Sequence, residues 1–342
     1  MFVLPPSKLP FRLHHALMLP LMCFLLFSAA PQSLAQTSGG DAAYRFLMLP
    51  GSARTAALGG NHVALKDADA SLFLANPAYL NETNSGNLSL TWLNHVSDVN
   101  MGVASAAWHY EPAGTFALGI RFINYGEIRR ASETGEDLGS LSASDLAFTA
   151  GFGRVVAPNL HVGAGASFIH SGYDSFSSSA VAVNAGIWYY WESVRLNIGA
   201  VVANLGTQLS TFDGATENLP LDIRLGISRR LEYVPIRLNL TLHSLDRWDM
   251  PLTLDEGESP GFSTNLLRHM IFGAELLFSE NFHVRLGYDH FTNEDLKVNT
   301  RLDTAGFSFG AGIQFRGFVF DFSRSSFSDL GGVTRIGIQT WL

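Results

Sequence analysis

The sequence predicts an all-β protein: a transmembrane antiparallel β-barrel of about 14 strands that follows a short N-terminal plug. Three observations carry this prediction. Apolar and polar residues alternate with a period of two from residue 87 onward, most alternating segments are 10–14 residues long, and short turns alternate with longer connections. Alternation indicates strands with one apolar and one polar face. A tilted strand that crosses a bilayer needs ~9–11 residues.

The first 35 residues are predicted to be a cleaved secretory signal peptide. Lys8 and Arg12 form a positive n-region, residues 16–27 are an apolar run, and the triplet Ser33–Ala35 offers small residues for cleavage. The single cysteine, Cys23, lies inside the apolar run, so we expect a mature chain without disulfides or cysteine-bound metal. The predicted division is a signal peptide at 1–35, a hatch segment at 36–86 and a barrel at 87–342.

From residue 87 the chain divides into 14 alternating segments. In the eighth segment, for example, Leu221 and Ile223 share one face and Asp222 lies between them on the other. A sheet in lipid must close on itself, because every backbone amide there needs a partner. The predicted strands lie at about 87–96, 100–111, 115–127, 144–157, 159–171, 179–192, 193–206, 220–232, 236–248, 267–279, 281–291, 304–315, 317–325 and 331–342.

Aromatic residues and connection lengths favour a membrane barrel over a soluble sandwich. Trp108, Trp341 and the stretch WYYW at residues 188–191 lie at strand ends, as in the aromatic girdles of outer-membrane barrels. Short periplasmic turns and longer outer loops are typical of these barrels. An even strand number then places both termini on the periplasmic side. The longer connections lie at about 128–143, 172–178, 207–219, 249–266, 292–303 and 326–330.

Charged residues on the polar face would lie inside the barrel. Buried charges need partners, so we expect these side chains to pair across strands or to hold the plug. A polar passage through the barrel is the functional alternative. By strand parity the inward charges are Arg121, Asp222, Arg224, Arg237, Glu275, Arg285, Asp289 and Asp321.

Composition and motifs argue against several chemistries. The formal net charge of −8 disfavours nucleic-acid binding. The Gly-x-Gly patterns at 151–153, 163–165 and 310–312 lie inside alternating segments, whereas phosphate binding requires them at the start of a helix. No HExxH or paired-cysteine motif is present. We therefore expect no catalytic residues, no metal site and no cofactor, with a calcium loop near the acids of 255–258 left open.

The connection at 246–266 is the predicted docking surface for a partner protein. It is long and acidic, and it carries Trp248, Met250, Leu252 and Phe262. Aromatic and methionine side chains are enriched at interfaces. The alternative is a solvated loop that folds over the barrel mouth. Residues 128–143 are a second docking candidate.

The stretch GSARTAALGG and the residues after it break the alternation. Ala68 or Asp69 can cap a short helix here, which must end before Pro77 because the residue before proline avoids the helical region. The glycines allow tight turns and close packing. We expect a compact plug, with Arg54 and the acids Asp67 and Asp69 as internal pairs.

The same segment resembles the signature of a known family. It reads Phe46-Leu47-x-Leu-Pro-x-Ser-Ala-Arg54, then Ala57-Leu58-Gly59-Gly60-Asn61, then Lys66-Asp67-x-Asp69, then Asn76-Pro77-Ala78-x-Leu80. This order resembles the N-terminus of the PorV/PorQ group of FadL-like barrels, and it is more similar to the PorQ branch. The hatch residues it singles out are Gly51, Arg54, Gly59, Gly60, Asn61, Asp67, Asp69, Asn76 and Pro77.

The resemblance implies a 14-stranded FadL-like barrel with an N-terminal hatch in its lumen, in the outer membrane of Bacteroidota. Proteins of the PorQ branch belong to the type IX secretion system and act with PorZ, PorU and PorV in the attachment complex. That complex removes the C-terminal signal of exported cargo and joins the cargo to lipopolysaccharide. The implied role is a non-enzymatic anchor, with a PorZ-type surface protein and outer-membrane lipid or lipopolysaccharide as partners.

Two functions from different classes follow from these observations. One is a docking barrel of a secretion machine, and the other is a FadL-type transporter of hydrophobic compounds. An outer-membrane enzyme is a third and more remote alternative. A transporter predicts apolar pockets on the inward face, whereas the inward residues here are mainly Gly, Ser, Asn and charges. The sequence therefore favours the docking barrel.

Overall fold

The computed structural model describes residues 42–65, 68–94, 99–131, 137–250, 252, 260–296, 303–327 and 331–342. The strands among these residues are β1 (Asn87–Asn94), β2 (Asn100–Tyr110), β3 (Gly114–Ala131), β4 (Asp137–Ala157), β5 (Leu160–Tyr173), β6 (Phe176–Trp191), β7 (Leu196–Ser210), β8 (Asp222–Arg230), β9 (Ile236–Leu242), β10 (Met270–Leu277), β11 (Phe282–Asp289), β12 (Phe307–Phe315), β13 (Phe318–Ser326) and β14 (Gly332–Trp341). The α-helices are α1 (Ala53–Ala57), α2 (Phe262–Arg268) and α3 (His290–Leu296). No helix in the described parts of the chain has the length and apolar character needed to cross a membrane.

The fourteen strands close into one antiparallel barrel. Each strand pairs with its neighbours in sequence, and β1 pairs with β14 to complete the ring, with Leu88 opposite Thr340. Closure removes the free sheet edges that would otherwise expose unpaired backbone groups. The predicted 14-stranded antiparallel barrel is confirmed.

The outer face of the barrel is apolar. In β3, Leu118, Ile120 and Phe122 are exposed, whereas Ala117 and Arg121 on the opposite face are buried. The strands β8, β12 and β13 show the same alternation. Soluble monomers rarely expose contiguous apolar surface of this extent, and an outward apolar band is the lipid-facing surface of a membrane barrel.

The two ends of the barrel differ. At the short-turn end, the connections run from two residues, as at 316–317, to five, as at 231–235. The opposite, long-loop end carries three extended connections, at 211–221, 243–269 and 290–306.

The described chain begins and ends at opposite ends of the barrel. Leu342 is hydrogen-bonded to Gly86 at the short-turn end, but Ala42 forms a bridge with Asn218 at the long-loop end. The two ends of the barrel itself, before β1 and after β14, lie together at the short-turn end, as the even strand count predicts. Ala42 lies at the other end because the residues between it and β1 run along the inside of the barrel.

Two predicted outer loops are largely strand. β3 continues to Ala131 and β4 begins at Asp137, so most of the predicted 128–143 loop is strand. Only residues 174–175 separate β5 from β6, in place of a loop at 172–178. These extensions contain few large apolar residues, so they lack the apolar face by which alternation identifies a strand.

The WYYW stretch at the end of β6 faces both ways. Tyr189 and Trp191 are exposed on the outer face, as a girdle requires. Trp188 is only 6% exposed, and it packs with Tyr190 against apolar residues that precede β1. Successive side chains of a strand point to opposite faces, so only half of this stretch can belong to a girdle.

The apolar band predicts a position-dependent cost for charge. Phe309, the third residue of β12, is 50% exposed on the outer face, and Phe315 ends the same strand at the short turn. We expect Phe309→Arg to destabilise the barrel in lipid vesicles by about 2–4 kcal/mol, and Phe315→Arg by about 0–1 kcal/mol, because arginine near the interface can reach water. Reversible urea unfolding in vesicles measures both variants, and equal costs at the two positions would contradict a lipid-facing band.

Candidate functional site: a filled lumen and a surface platform

The residues before β1 form a compact hatch, defined here as the described residues of 42–86. The hatch is a series of one-turn helices, and four of those described begin with a polar side chain that caps the helix. Ser52 caps α1, Asp69 caps the turn Ala70–Leu74, and Asn76 caps the turn Pro77–Tyr79. Such caps satisfy the backbone N–H groups that a helix start leaves unpaired, so these polar residues have structural roles.

The hatch contacts every strand of the barrel. Its backbone lies directly on the wall where the wall carries glycine. A Cβ added at Gly199 would lie 1.8 Å from the carbonyl oxygen of Val63, and one at Gly287 would lie 2.1 Å from the backbone nitrogen of Gly59. No other residue fits these positions without moving the hatch.

The Gly-x-Gly patterns gain a structural explanation from this contact. Gly163 lies against Pro77, and a Cβ there would be 2.2 Å from the proline carbonyl carbon. Gly153 meets Leu80 in the same way, with a Cβ 2.5 Å from its carbonyl oxygen. The second glycine of the β5 pattern, Gly165, has no atom closer than 3.5 Å to such a Cβ. Gly153 and Gly163 are therefore explained by close packing of the hatch against the wall, not by phosphate binding.

The remaining hatch residues also hold the plug together. Asn61 donates to the carbonyl of Met48 at 2.7 Å. Gly59 has a φ of +97°, which favours glycine, and Gly51 and Gly60 are packed too closely for a larger side chain without displacement of neighbours. Asp67 lies outside the described residues.

Glu275 of β10 is completely buried and is shared by three arginines. Arg54 of α1 forms a bidentate pair with it, at 2.9 Å and 3.0 Å. Arg237 and Arg285 lie directly opposite Glu275 on the neighbouring strands and donate at 2.7 Å and 3.0 Å. Arg285 also pairs with Asp321 of β13. Glu275 therefore fixes Arg54 of the hatch to the barrel wall.

A glycine makes room for this network. Arg285 reaches from β11 across β12 to Asp321, and a Cβ at Gly312 would lie 2.5 Å from the Asp321 carboxylate. Three guanidinium groups face two carboxylates, so most of the buried charge is compensated, as burial requires. The hatch is attached to the wall at this point by charge as well as by packing.

The other predicted lumen charges have separate roles. Arg121 donates to the carbonyls of Phe46 and Leu47 and so holds the first turn of the hatch. Asp222 and Arg224 pair with each other at 2.5 Å. Asp289 is not part of a lumen network: its carboxylate accepts hydrogen bonds at the start of α3.

His62 is a hatch residue that the sequence did not single out. Its Nε2 faces the carbonyl of Leu58 and its Nδ1 faces the hydroxyl of Thr241 on β9, both at 2.9 Å. A carbonyl only accepts, so Nε2 carries the proton and Nδ1 accepts from Thr241. Burial lowers the pKa of His62 to about 4, which keeps the ring neutral and this pattern intact at neutral pH.

A surface platform lies at the long-loop end, formed by residues 248–250 and α2 with His269. Trp248 stacks on Phe262 with ring centroids 5.3 Å apart and on His269 with centroids 5.2 Å apart. Trp248 is 44% exposed and Phe262 is 71% exposed. Each ring nitrogen of His269 faces a main-chain carbonyl, that of His243 or that of Trp248.

The platform is held by polar contacts rather than by strand pairing. Asn265 donates to Trp248 and accepts from the backbone of Met250. Arg268 donates to the Met250 carbonyl at 2.8 Å and to Glu294 of α3 at 2.7 Å. Met250 is 5% exposed. It supports the platform from beneath and is not available to a partner, contrary to its predicted docking role.

Leu252, the fourth predicted docking residue, is half-buried. The acids of 255–258 lie outside the described residues. Among the residues that the structure describes, no group of three His, Cys, Asp or Glu side chains is placed to hold a metal ion.

A cavity of about 510 Å³ lies at the long-loop end and is called the rim cavity here. The strands β3 to β6 and the connection 211–221 form its walls. Sequence reasoning missed it, because its lining comes from five separate segments and no local pattern connects them.

Comparison with known proteins identifies the fold. No family model and no curated protein matches the sequence. The toluene transporter TodX of Pseudomonas putida is 12% identical, covers 84% of this chain and 96% of its own, and has a TM-score of 0.52. The chain has the FadL fold. A FadL homologue of Pseudomonas aeruginosa is 11% identical over 86% of this chain and 98% of that chain, with a TM-score of 0.51. The CymD monoaromatic hydrocarbon channel is 15% identical over 86% and 98%, with a TM-score of 0.54.

The FadL fold is thus the expectation from sequence that these comparisons confirm. At 11–15% identity these comparisons show a shared fold and nothing further. TodX is a toluene transporter and CymD is a monoaromatic hydrocarbon channel.

The charge network predicts that loss of Glu275 is severe. We expect Glu275→Gln to destabilise the protein by about 3–5 kcal/mol, because it leaves three guanidinium groups around a neutral amide. Adding Arg54→Met should recover part of this loss by removing one of the like charges. Urea unfolding in detergent measures both. The control is Glu232→Gln, which removes an exposed pair with Arg195 at 3.8 Å and should cost about 0–1 kcal/mol.

The wall glycines predict a difference within a single motif. We expect Gly163→Ala to displace the hatch and cost about 1–3 kcal/mol, because the added methyl group meets the Pro77 backbone. Gly165→Ala should change stability by less than about 0.5 kcal/mol. Hydrogen exchange of the amides at 76–80 should rise in the first variant alone. Equal exchange in the two variants would contradict the close contact of hatch and wall.

Proposed function

We propose that this chain is a non-enzymatic outer-membrane barrel that anchors a partner protein at the cell surface, as part of the attachment complex of a type IX secretion system. One observation carries the proposal: the hatch fills the barrel and contacts every strand, while an aromatic platform is exposed at the long-loop end. The apolar outer band supports the location in a membrane.

The hatch argues for a positional role. A passage through the barrel would require the hatch to leave the wall, yet it is held by Glu275 and lies on glycines that admit no gap. Partial opening would separate Arg54 from Glu275 and leave both charges unpaired in a poorly solvated lumen. Separating a buried ion pair in this way costs free energy. A barrel whose lumen stays filled is suited to anchoring a partner protein and not to transport through the lumen.

The platform argues for protein docking. Trp248 and Phe262 are large, exposed and already stacked. Preordered side chains lose less conformational entropy on binding, and aromatic residues are frequent among the side chains that dominate binding energy.

The N-terminal signature supports the identity of the partner. Its similarity to the PorQ branch points to a PorZ-type surface protein, with PorU and PorV in a larger complex that joins cargo to lipopolysaccharide. In this proposal the long-loop end faces the outside of the cell, where the platform meets the partner, and the short turns face the periplasm.

A second candidate function is transport of a hydrophobic compound across the outer membrane. Two observations favour it: the fold of TodX and CymD, and the aromatic residues that line the rim cavity. The two functions differ in what fails when the gene is lost. Loss of the anchor leaves cargo unprocessed or unattached, whereas loss of the transporter impairs growth on a hydrophobic nutrient.

The platform predicts the docking result. We expect Trp248→Ala with Phe262→Ala to reduce recovery of the PorZ-type protein on the tagged barrel by at least about tenfold, because two central aromatic contacts are lost. The measurement is affinity purification from outer membranes in mild detergent, with quantitative mass spectrometry. The control is Tyr233→Ala, which removes a 94% exposed ring at the short-turn end and should leave recovery unchanged.

Heat-dependent mobility on gels must show folded barrels for both variants. Unchanged recovery of the PorZ-type protein with the double variant would contradict the platform as the docking site. Normal cargo attachment in a deletion strain, together with failed uptake of a hydrophobic nutrient, would establish the second candidate function instead.

A further inference from the structure

The rim cavity has the size of a small-molecule site. Its volume of about 510 Å³ lies within the range of about 300–1,000 Å³ that is usual for ligand pockets. Four aromatic side chains line it: Tyr125 of β3, Tyr173 of β5, Phe176 of β6 and Phe212 of the following connection. Aromatic faces offer an apolar surface and also attract cations.

The charge of the cavity has a single sign. Among the described residues that line it, Asp145, Asp213 and Glu217 are acidic and none is basic. A neutral hydrophobic ligand would gain nothing from these carboxylates and would have to tolerate the cost of desolvating them. An anion would be repelled. The protein as a whole carries a formal net charge of −8, which adds to the attraction of cations.

Asp145 is the acid best placed to select a ligand. It is 9% exposed, and its carboxylate accepts hydrogen bonds from the Tyr125 hydroxyl, at 2.7 Å, and from the Ser171 hydroxyl. Both donors orient the carboxylate toward a fixed geometry. An ionised carboxylate has about four lone-pair sites, so two acceptor sites remain for the N–H groups of a ligand.

We propose that the rim cavity binds an amphiphilic cation, a molecule with an aromatic or alkyl body and a primary ammonium group. The body packs among Phe176, Phe212 and the tyrosines, and the ammonium group donates to Asp145. Asp213 and Glu217, both exposed at the cavity edge, attract the cation from solution. This ligand site is separate from the platform and does not depend on the docking role.

The test compares three indole probes of nearly equal size on the full mature chain in nonionic detergent. The probes are tryptamine, which is cationic, tryptophol, which is neutral, and indole-3-acetate, which is anionic. We expect tryptamine to bind at least about tenfold more tightly than tryptophol, as a charge-assisted hydrogen bond and cation–π contacts would give. Isothermal titration calorimetry, corrected with protein-free micelles, measures each affinity.

Substitutions in the cavity test whether the preference for tryptamine over tryptophol arises there. Asp145→Asn should weaken tryptamine about tenfold and change tryptophol by less than about twofold, because the variant removes charge and keeps shape. Glu217→Gln, on an exposed connection, provides a second test that folding cannot obscure, and it should weaken tryptamine more than tryptophol. The control Glu232→Gln lies at the short-turn end and should leave every probe unaffected.

Equal binding of tryptamine and tryptophol, preferential binding of indole-3-acetate, or no binding of any probe would overturn the proposal. So would an unchanged preference in folded Asp145→Asn. Adding phosphatidylethanolamine to the micelles tests whether the natural ligand is a lipid headgroup or a soluble amine. Displacement of tryptamine identifies a lipid headgroup as the ligand, and undiminished binding identifies a soluble amine.

Discussion

At several points the backbone of the hatch lies directly on the backbone of the barrel wall, and most features of the lumen depend on the contact between hatch and wall. Where the two backbones meet, the wall carries glycine, as at Gly163, Gly199 and Gly287. Where the wall carries charge, the hatch supplies the counter-charge, as Arg54 does for Glu275. Neither the wall nor the hatch has a satisfied interior face alone. The barrel interior is therefore a protein core in which apolar residues of the hatch, such as Leu58 and Leu72, pack beside small and charged residues of the wall.

The contact also explains why local patterns predict the barrel well and the lumen poorly. Alternation is a property of each strand by itself, so the strands in the membrane could be located to within a few residues, and the cap at Asp69 could be anticipated from the residues beside it. The partner of Arg54 lies 221 residues away. No spacing in one sequence indicates such a pair.

Above the apolar band the same reasoning fails for a different reason. The outer parts of β3 and β4 meet water on at least one side, so no apolar face identifies them as strand. The residue Met250 shows the converse difficulty. Its position in a long polar connection predicts exposure, but Asn265 and Arg268 fold that connection back on itself and bury it. Burial of a loop residue depends on contacts between segments, which composition does not reveal.

The arrangement separates what holds the protein from what recognises other molecules. The hatch and its glycine contacts lie inside the barrel, whereas the platform and the rim cavity both lie at the long-loop end, on different segments of the chain. Phe262 projects from a helix that belongs to the β9–β10 connection, and Asp145 belongs to β4, across the barrel. Changes at either site can therefore leave the lumen network around Glu275 intact. A filled barrel of this kind is a rigid support, and the platform and the rim cavity determine which molecules it binds.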